Sequence, residues 1–337
     1  MVYAGLDLHK HFSVITVMDA QGTELVKQRK LVNGEVLGLF QGLGQPVVAA
    51  MEATGSWYWL YDLLEQNGVE VKLSHPLKTK AIASARVKND KIDSRILAHL
   101  LRTGLLPLSY VPDKAVRMQR QLLRYRASLV KMQTGLKNRV HAILAQNNIT
   151  PSFSDLFGKR GWDFLSSVPL PEMNRLALDG YLSLLSQVEQ RIKEADKRIM
   201  ASVKDNEDAQ ILMTIPGVGY YSALLITSEI GEITRFPAAK QLCSYAGLIP
   251  STYASGNIVF HGHITKQGSK WLRWILSEAI VHCVNQPGHF QGFYQRLAKR
   301  KGPKIAKVAA ERKLLEWIYH MLKERRTFPE METLLSR

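Results

Sequence analysis

At 337 residues, with 46% hydrophobic and 22% charged residues, the chain has the composition of an ordinary soluble protein and the length for two or three domains with real cores. Its net charge of +16 and pI near 9.8 point to a polyanionic partner, most often nucleic acid, with a generically basic surface as the plain alternative. Cys243 and Cys283 are the only cysteines and form no CxxC pair, which argues against a disulfide scaffold or a cysteine zinc site. No apolar run approaches the roughly eighteen residues of a membrane span, and MVYAGLDLHK opens on a strand pattern rather than a secretory leader, so a cytoplasmic location is expected.

Residues 1–110 alternate strand and helix signals. VYAGLDL, FSVITVMD and ELVKQRKLV are β-rich runs, the first two joined by a His-Lys-His turn and the next two by AQG. NGEVLGLFQGL reads as a helix and VVAAME as a buried strand. SWYWLYDLLEQNG reads as a helix with Ser56 as N-cap and Gly68 as its stop, and VEVKLSH as a further strand. KIDSRILAHLL, headed by Asp90 and Asp93, reads as the next helix. Three strands followed by helix, strand, helix, strand, helix is the order of an α/β ribonuclease H-like domain with a mixed sheet, assigned to residues 1–112.

Residues 113–208 have a different rhythm. Leu122, Tyr125, Leu129, Met132, Leu136, Val140 and Ile143 follow steps of three and four, as do Tyr181, Leu185, Val188, Ile192, Ala195, Ile199 and Val203. Such seams belong to a coiled coil or long helical hairpin, with TPSFSDLFGKRGW reversing the chain between them. From Lys114 to Thr150 there are eight Lys/Arg, Arg117, Arg120 and Arg124 among them, and no Asp/Glu. A one-signed helix face destabilises itself unless phosphates neutralise it, so this helix is expected to lie along nucleic acid or to meet a partner chain, a solvated face being the alternative.

The third region, residues 209–337, is expected to be mainly helical. Pro-Gly-Val-Gly between two helical patterns resembles a helix-hairpin-helix, in which Gly217 and Gly219 let backbone N–H groups approach a phosphate; a plain tight turn is the alternative. A polar Gly/Ser loop and a basic helix follow, in which Thr265, Lys266, Lys270 and Arg273 are candidate phosphate contacts. Trp271 and Trp274, three apart, read as one packing face more readily than as base-stacking platforms. RLAKRKGPKIAKVAAERK is a further basic run, either a nucleic-acid contact or a solvated tail.

Four acids stand out. Asp7 ends the first strand, Glu52 ends VVAAME, and Asp90 and Asp93 share one helix face at i and i+3. An uncompensated carboxylate beside a core costs several kcal/mol, and two this close raise each other's pKa unless a cation lies between them. Oxygen donors of this kind suit Mg²⁺ or Mn²⁺, and a two-metal site would bracket a scissile phosphate. His9 and Lys10 follow Asp7 and are expected near that phosphate.

GLDLHK, MEATGSWYW and KNDKIDSRILAHLL, with the distal PGVG, SYAGLIPSTYASGN and GHITKQGSKWLRWIL, resemble the DEDD-type insertion-sequence transposases over essentially the whole chain. The resemblance implies a RuvC-like N-terminal nuclease domain and a C-terminal transposase domain. It implies Asp7, Glu52, Asp90 and Asp93 as a metal-binding catalytic quartet. It also implies a serine nucleophile in the Gly/Ser loop, where the family's Ser-Gly dipeptide matches Ser255–Gly256. Asn257 stands where a second glycine is common in the family, and Ser251 is the competing serine. The family moves circular DNA, pairing donor and target through a structured bridge RNA.

A serine nucleophile would store the phosphodiester energy in a phosphoserine and allow resealing without ATP. The alternative is a junction-resolving endonuclease with water as nucleophile, which would leave Ser255 idle. A non-enzymatic nucleic-acid scaffold would not need the quartet. Exchange of two duplexes needs four cuts, so a homo-oligomer, dimer to tetramer, is expected.

Overall fold

The computed structural model describes residues 1–53, 57–82, 90–255 and 258–335. The chain divides into two compact units, Met1–Val111 and Pro112–Arg337.

In the first unit, strands β1 (Val2–Leu8), β2 (Phe12–Met18) and β3 (Glu24–Val32) form an antiparallel meander. A 3-10 turn leads into helix α1 (Val36–Gly42), strand β4 (Val47–Glu52) and helix α2 (Trp57–Gln66). Strand β5 (Glu70–Ser74), helix α3 (Pro76–Ile82) and helix α4 (Asp90–Arg102) complete it. The sheet order is β3-β2-β1-β4-β5, with β4 parallel to β1 and β5 parallel to β4. This mixed sheet is compatible with the ribonuclease H-like expectation. Ser56, expected to cap α2, lies outside the described residues. Gly68, at φ 78°, ends the helix as expected.

Side-chain alternation divides the sheet into two faces. Val2, Ala4, Leu6 and Leu8 join Ile15, Ala49 and Met51 against Val36, Phe40, Trp57, Leu60 and Leu64 of α1 and α2. The opposite face of β1 carries Gly5, and α4 lies directly on it. A Cβ at Gly5 would stand 2.0 Å from the Ser94 carbonyl oxygen and 2.6 Å from the Ala98 nitrogen. Ala50 packs there with Leu97, Leu100 and Leu106, and the buried Thr16 and Ser94 hydroxyls bond at 3.0 Å. The edge strand β3 is alternately half-buried and exposed and carries Lys27, Arg29 and Lys30, charges that discourage edge-to-edge pairing.

In the second unit, helices α5 (Lys114–Gln146) and α7 (Glu172–Lys204), 33 residues each, pair antiparallel. Leu123 at the base shares a core with Ile199 and Val203, and Val140, Ile143 and Leu144 near the tip share one with Leu178 and Leu182. The seam read from the sequence is half right. Leu129, Leu136, Val140 and Ile143 are buried, whereas Tyr125 and Met132 are 45% and 58% exposed. Against one partner helix, α5 covers only one of its two apolar rows. The reversal between them is a small core of its own: helix α6 (Lys159–Ser167) places Leu165 with Leu156 and Val168, flanked by Phe153, Phe157 and Trp162.

Helices α8 (Glu207–Leu212), α9 (Tyr220–Ile230) and α10 (Ala239–Tyr245) follow. Then come strands β6 (Pro250–Ser255) and β7 (Ile258–Ile264). Helices α11 (Lys270–Asn285), α12 (His289–Lys301), α13 (Pro303–Glu324) and α14 (Phe328–Leu335) close the chain. Helix α9 is apolar all round because it is central: Ala223, Leu224, Leu225 and Ile226 are fully buried among Leu272, Leu276 and Ile280 of α11 and Leu314, Leu315 and Ile318 of α13. Leu123, Ile199 and Val203 join the same core, so the base of the long hairpin is continuous with the C-terminal helices. Among the described residues no helix is long and apolar enough to cross a membrane.

The segment expected to be a polar Gly/Ser loop is instead an antiparallel β-hairpin, with Thr252 opposite His261 and Ser255 opposite Ile258. Ser255 is therefore the last residue of a strand. Gly256 and Asn257, which join the strands, lie outside the described residues.

Candidate active site

The acids come from the elements expected of them. Asp7 and Glu52 stand one step beyond the paired Leu6 and Met51 of parallel neighbours, so they close adjacent strands side by side. Both lie two residues beyond Gly5 and Ala50, the positions on which α4 packs, and residues two apart share a strand face. Asp93 immediately precedes Ser94, whose carbonyl rests against Gly5. The sheet thus puts Asp7, Glu52 and the N-terminal half of α4 on one face. Among the described residues no three His, Cys, Asp or Glu side chains gather closely enough to hold a cation, and the Asp90 side chain lies outside those described. Carboxylate oxygens from Asp7, Glu52 and Asp93 are the donor chemistry that a hard divalent ion takes.

The β1–β2 turn is held rigidly beside Asp7. His9 Nε2 lies 3.1 Å from Asp7 Oδ2, and its ring stacks on Phe12 with centroids 4.5 Å apart. The His9 amide donates to the Phe12 carbonyl, and the His9 carbonyl accepts from Asn33 Nδ2 at 2.9 Å. Ser13 Oγ in turn donates to Asn33 Oδ1 at 2.8 Å. This places His9 on a catalytic-acid candidate rather than free toward solvent, while Lys10 at the turn is exposed. Asn33, buried and bonded to the turn and to β2, was not singled out from the sequence; a polar residue directly after a strand was its only local signal.

The two candidate serines differ. The Ser255 side chain lies outside the described ones. Ser251 is engaged: its Oγ donates to the His263 carbonyl at 3.1 Å across the hairpin, in space that glycine at 262 leaves open, since a Cβ there would lie 2.6 Å from Oγ.

The root of the hairpin is braced by a buried carboxylate the sequence reading did not find. Glu229, 2% exposed at the end of α9, accepts from Arg124 Nη2 at 2.7 Å and from Ser269 Oγ at 2.8 Å. Ser269 also caps α11 by accepting from the Leu272 amide. Arg273 donates to the Ala246 and Gly268 carbonyls at 2.9 and 3.2 Å, tying together the chain entering β6 and the chain leaving β7. Burial lowers the Arg273 pKa from its ordinary value. Arg124 and Arg273, expected to contact phosphate, are thus also internal braces.

Arg120 requires a correction. It is 8% exposed, and its Nε and Nη2 donate to the Ser228 and Glu229 carbonyls at 2.7 and 3.0 Å, capping α9. A guanidinium spent on orphan helix carbonyls is not offered to a phosphate. Elsewhere on α5, Arg126 pairs with Asp196 at 3.0 Å and Lys137 lies 3.8 Å from Glu189. Acids from α7 and α9 therefore neutralise part of the face that looked one-signed.

In the turn between α8 and α9, Gly217 adopts φ 79°, and a Cβ there would strike the His282 ring at 2.3 Å. Its glycine is required by packing, which is the plain-turn reading. Gly219, the exposed N-cap of α9, has nothing within 4 Å of an added Cβ, so backbone approach by a phosphate is open there. Lys266, at φ 53°, and Lys270 are exposed beside the hairpin root. Trp271 and Trp274 pack edge to face at 5.9 Å.

Comparison with known proteins converges on one group. Residues 4–149 match a family model of DEDD type described as Transposase, and residues 209–295 match the model Transposase IS116/IS110/IS902 family. The chain is 27% identical to "Transposase for insertion sequence element IS1111A" of Coxiella burnetii, covering 96% of this chain and 90% of that protein. It is 28% identical to "Probable family 20 transposase" of Pseudomonas aeruginosa, covering 94% and 96%. It is also 35% identical to "Pilin gene-inverting protein" of Moraxella bovis, over 36% of this chain and 39% of that one.

Proposed function

This chain belongs to the IS110 family of insertion-sequence transposases and is a DNA-recombining enzyme, and on that premise we propose that it cuts and rejoins DNA through a phosphoserine at Ser255. In this reading the first unit is a RuvC-like nuclease domain whose Asp7, Glu52, Asp90 and Asp93 carboxylates hold Mg²⁺ or Mn²⁺. Bound there, the cation would screen the carboxylates and polarise the scissile phosphate. His9 orients Asp7, and Lys10 faces the approaching phosphate.

Ser255 Oγ attacks phosphorus as the bond to the leaving strand oxygen breaks, the hydroxyl proton passing to a nearby base. After exchange, a strand hydroxyl attacks the phosphoserine and frees Ser255, so bonds balance without ATP. A structured bridge RNA pairs donor and target, the PGVG segment acts as a helix-hairpin-helix phosphate contact through Gly219, and the active unit is a dimer or tetramer. Arg117, Lys266 and Lys270 supply further phosphate contacts.

The observation that carries the reading is the side-by-side closure of adjacent parallel strands by Asp7 and Glu52 on the face α4 covers. The engagement of Ser251 within the hairpin favours Ser255 as the nucleophile. The test is trapping: protein, guide RNA and a labelled DNA site are incubated with a divalent cation, denatured, and the labelled peptide mapped. Label on Ser255, lost in Ser255→Ala and in Asp7→Ala, is expected. Cleavage at parental rate by Ser255→Ala would instead assign the attack to water.

A further inference from the structure

The cations of the second unit fall into two groups. Four of the eight on α5, Arg120, Arg124, Arg126 and Lys137, are answered from within, by the α9 carbonyls, Glu229, Asp196 and Glu189. At the junction of α12 and α13, Lys307 acts on Glu311, but among the described residues the cations before it have no such answer. Arg296, Lys299, Arg300, Lys301, Lys304 and Lys307 fall within twelve residues, and no Asp or Glu occurs from His289 to Ala310. Lys299, Arg300, Lys301 and Lys304 are all exposed, and among the described residues none of the four forms an ion pair. The ion pairs of α13 begin further on, where Arg312 and Lys313 both reach Glu316. The last turn of α12 offsets its own cations through the negative end of the helix, but Lys304 sits in the first turn of α13, which holds no acid.

The corner is also stiff. Gly302 at φ 86° makes the bend, Pro303 starts α13, and α13 is anchored in the core by Leu314, Leu315 and Ile318. Like charges held close on rigid helices repel unless phosphates lie between them. We infer that the α12–α13 corner is a further DNA contact, gripping the phosphate backbone of duplex substrate. Duplex DNA is favoured over RNA by composition: residues 296–307 include no aromatic side chain, so the surface offers backbone neutralisation without the stacking that reads unpaired bases. The inference rests on the chain being a DNA recombinase and not on Ser255.

The experiment uses the full chain and a fluorescent duplex, with binding measured across a salt series. Replacing Lys299, Arg300, Lys301 and Lys304 together by Ala should flatten the slope of log affinity against log salt by about 3–4, at roughly 0.9 per phosphate released. The thermal midpoint should stay within about 2 °C, because the four side chains are exposed. Lys299→Arg, Lys301→Arg and Lys304→Arg combined should keep the parental slope. An unchanged slope in the Ala variant overturns the proposal, as does a loss confined to structured RNA with duplex binding intact. Ser255→Ala should keep the parental slope whatever happens to cleavage, so failure of the serine reading and failure of this one are told apart.

Discussion

Replacing Gly5 by Ala should damage both the stability of the first unit and its catalysis. The added Cβ would lie 2.0 Å from the Ser94 carbonyl, about 1.4 Å short of ordinary contact at 3.4 Å, and 2.6 Å from the Ala98 nitrogen. Both obstacles are helix backbone, so no side chain can rotate aside and α4 must retreat. Retreat loosens Leu97 and Leu100 from Ala50 and stretches the buried Thr16–Ser94 bond from 3.0 Å. Overpacking of this kind costs about 1–3 kcal/mol, and the strained buried hydroxyl pair adds about 1. A loss of about 3 kcal/mol should lower the first unit's melting midpoint by roughly 10–20 °C. Asp93, a proposed metal ligand, would move with the helix, and for such a ligand a misplacement of about 1 Å costs on the order of a hundredfold in rate. Circular-dichroism melting and single-turnover DNA cleavage read the two effects. A Gly5→Ala protein that melts within about 2 °C of the parent and cleaves at its rate would refute the contact between α4 and β1.

Three further outcomes follow from other parts of the molecule. Arg120→Ala should destabilise the second unit by about 2 kcal/mol in urea unfolding, since it strands the Ser228 carbonyl and leaves the Glu229 carbonyl only the Tyr245 hydroxyl, yet leave the salt dependence of DNA binding unchanged; a reduced salt slope would return Arg120 to the phosphate contacts. Ser251→Ala should cost only about 1 kcal/mol and leave cleavage within a few-fold of parent, because the hydroxyl serves one bond to the His263 carbonyl; complete loss of cleavage would make Ser251 the nucleophile. Burial pushes the Cys243 and Cys283 thiols from 9.0 up to about 12, so above pH 9 the unfolded chain gives up protons that the folded chain keeps. Their contribution is full below about pH 9 and falls as pH rises toward 12, by about 1.4 kcal/mol per thiol per pH unit. The urea midpoint should therefore drop between pH 8 and pH 10, and drop less in the Cys243→Ala, Cys283→Ala double variant; parallel drops would remove the thiols as the cause.

Much of the first unit was legible because its signals are local. Strand alternation, the stop at Gly68 and acids closing apolar runs at Asp7 and Glu52 each lie within a few residues. The hairpin carrying Ser255 was not read from the sequence: its polar composition suggested a loop, and the two-residue connection at Gly256 and Asn257 that favours a β-hairpin was outweighed. Gly5, a glycine inside a strand, marked a close approach without saying of what.

The sequence by itself determined the succession of strands β1 to β5, the acidic residues and the basic excess, since hydrophobic period and residue chemistry act over short spans. Only the tertiary structure decided which cations remain available, because Arg120 and Arg124 meet their partners more than a hundred residues away, at the end of α9. The same holds for Ser251 and Met132: whether a hydroxyl is engaged or an apolar row is covered depends on which segment folds back against it, and pairwise distance along the chain carries no record of that.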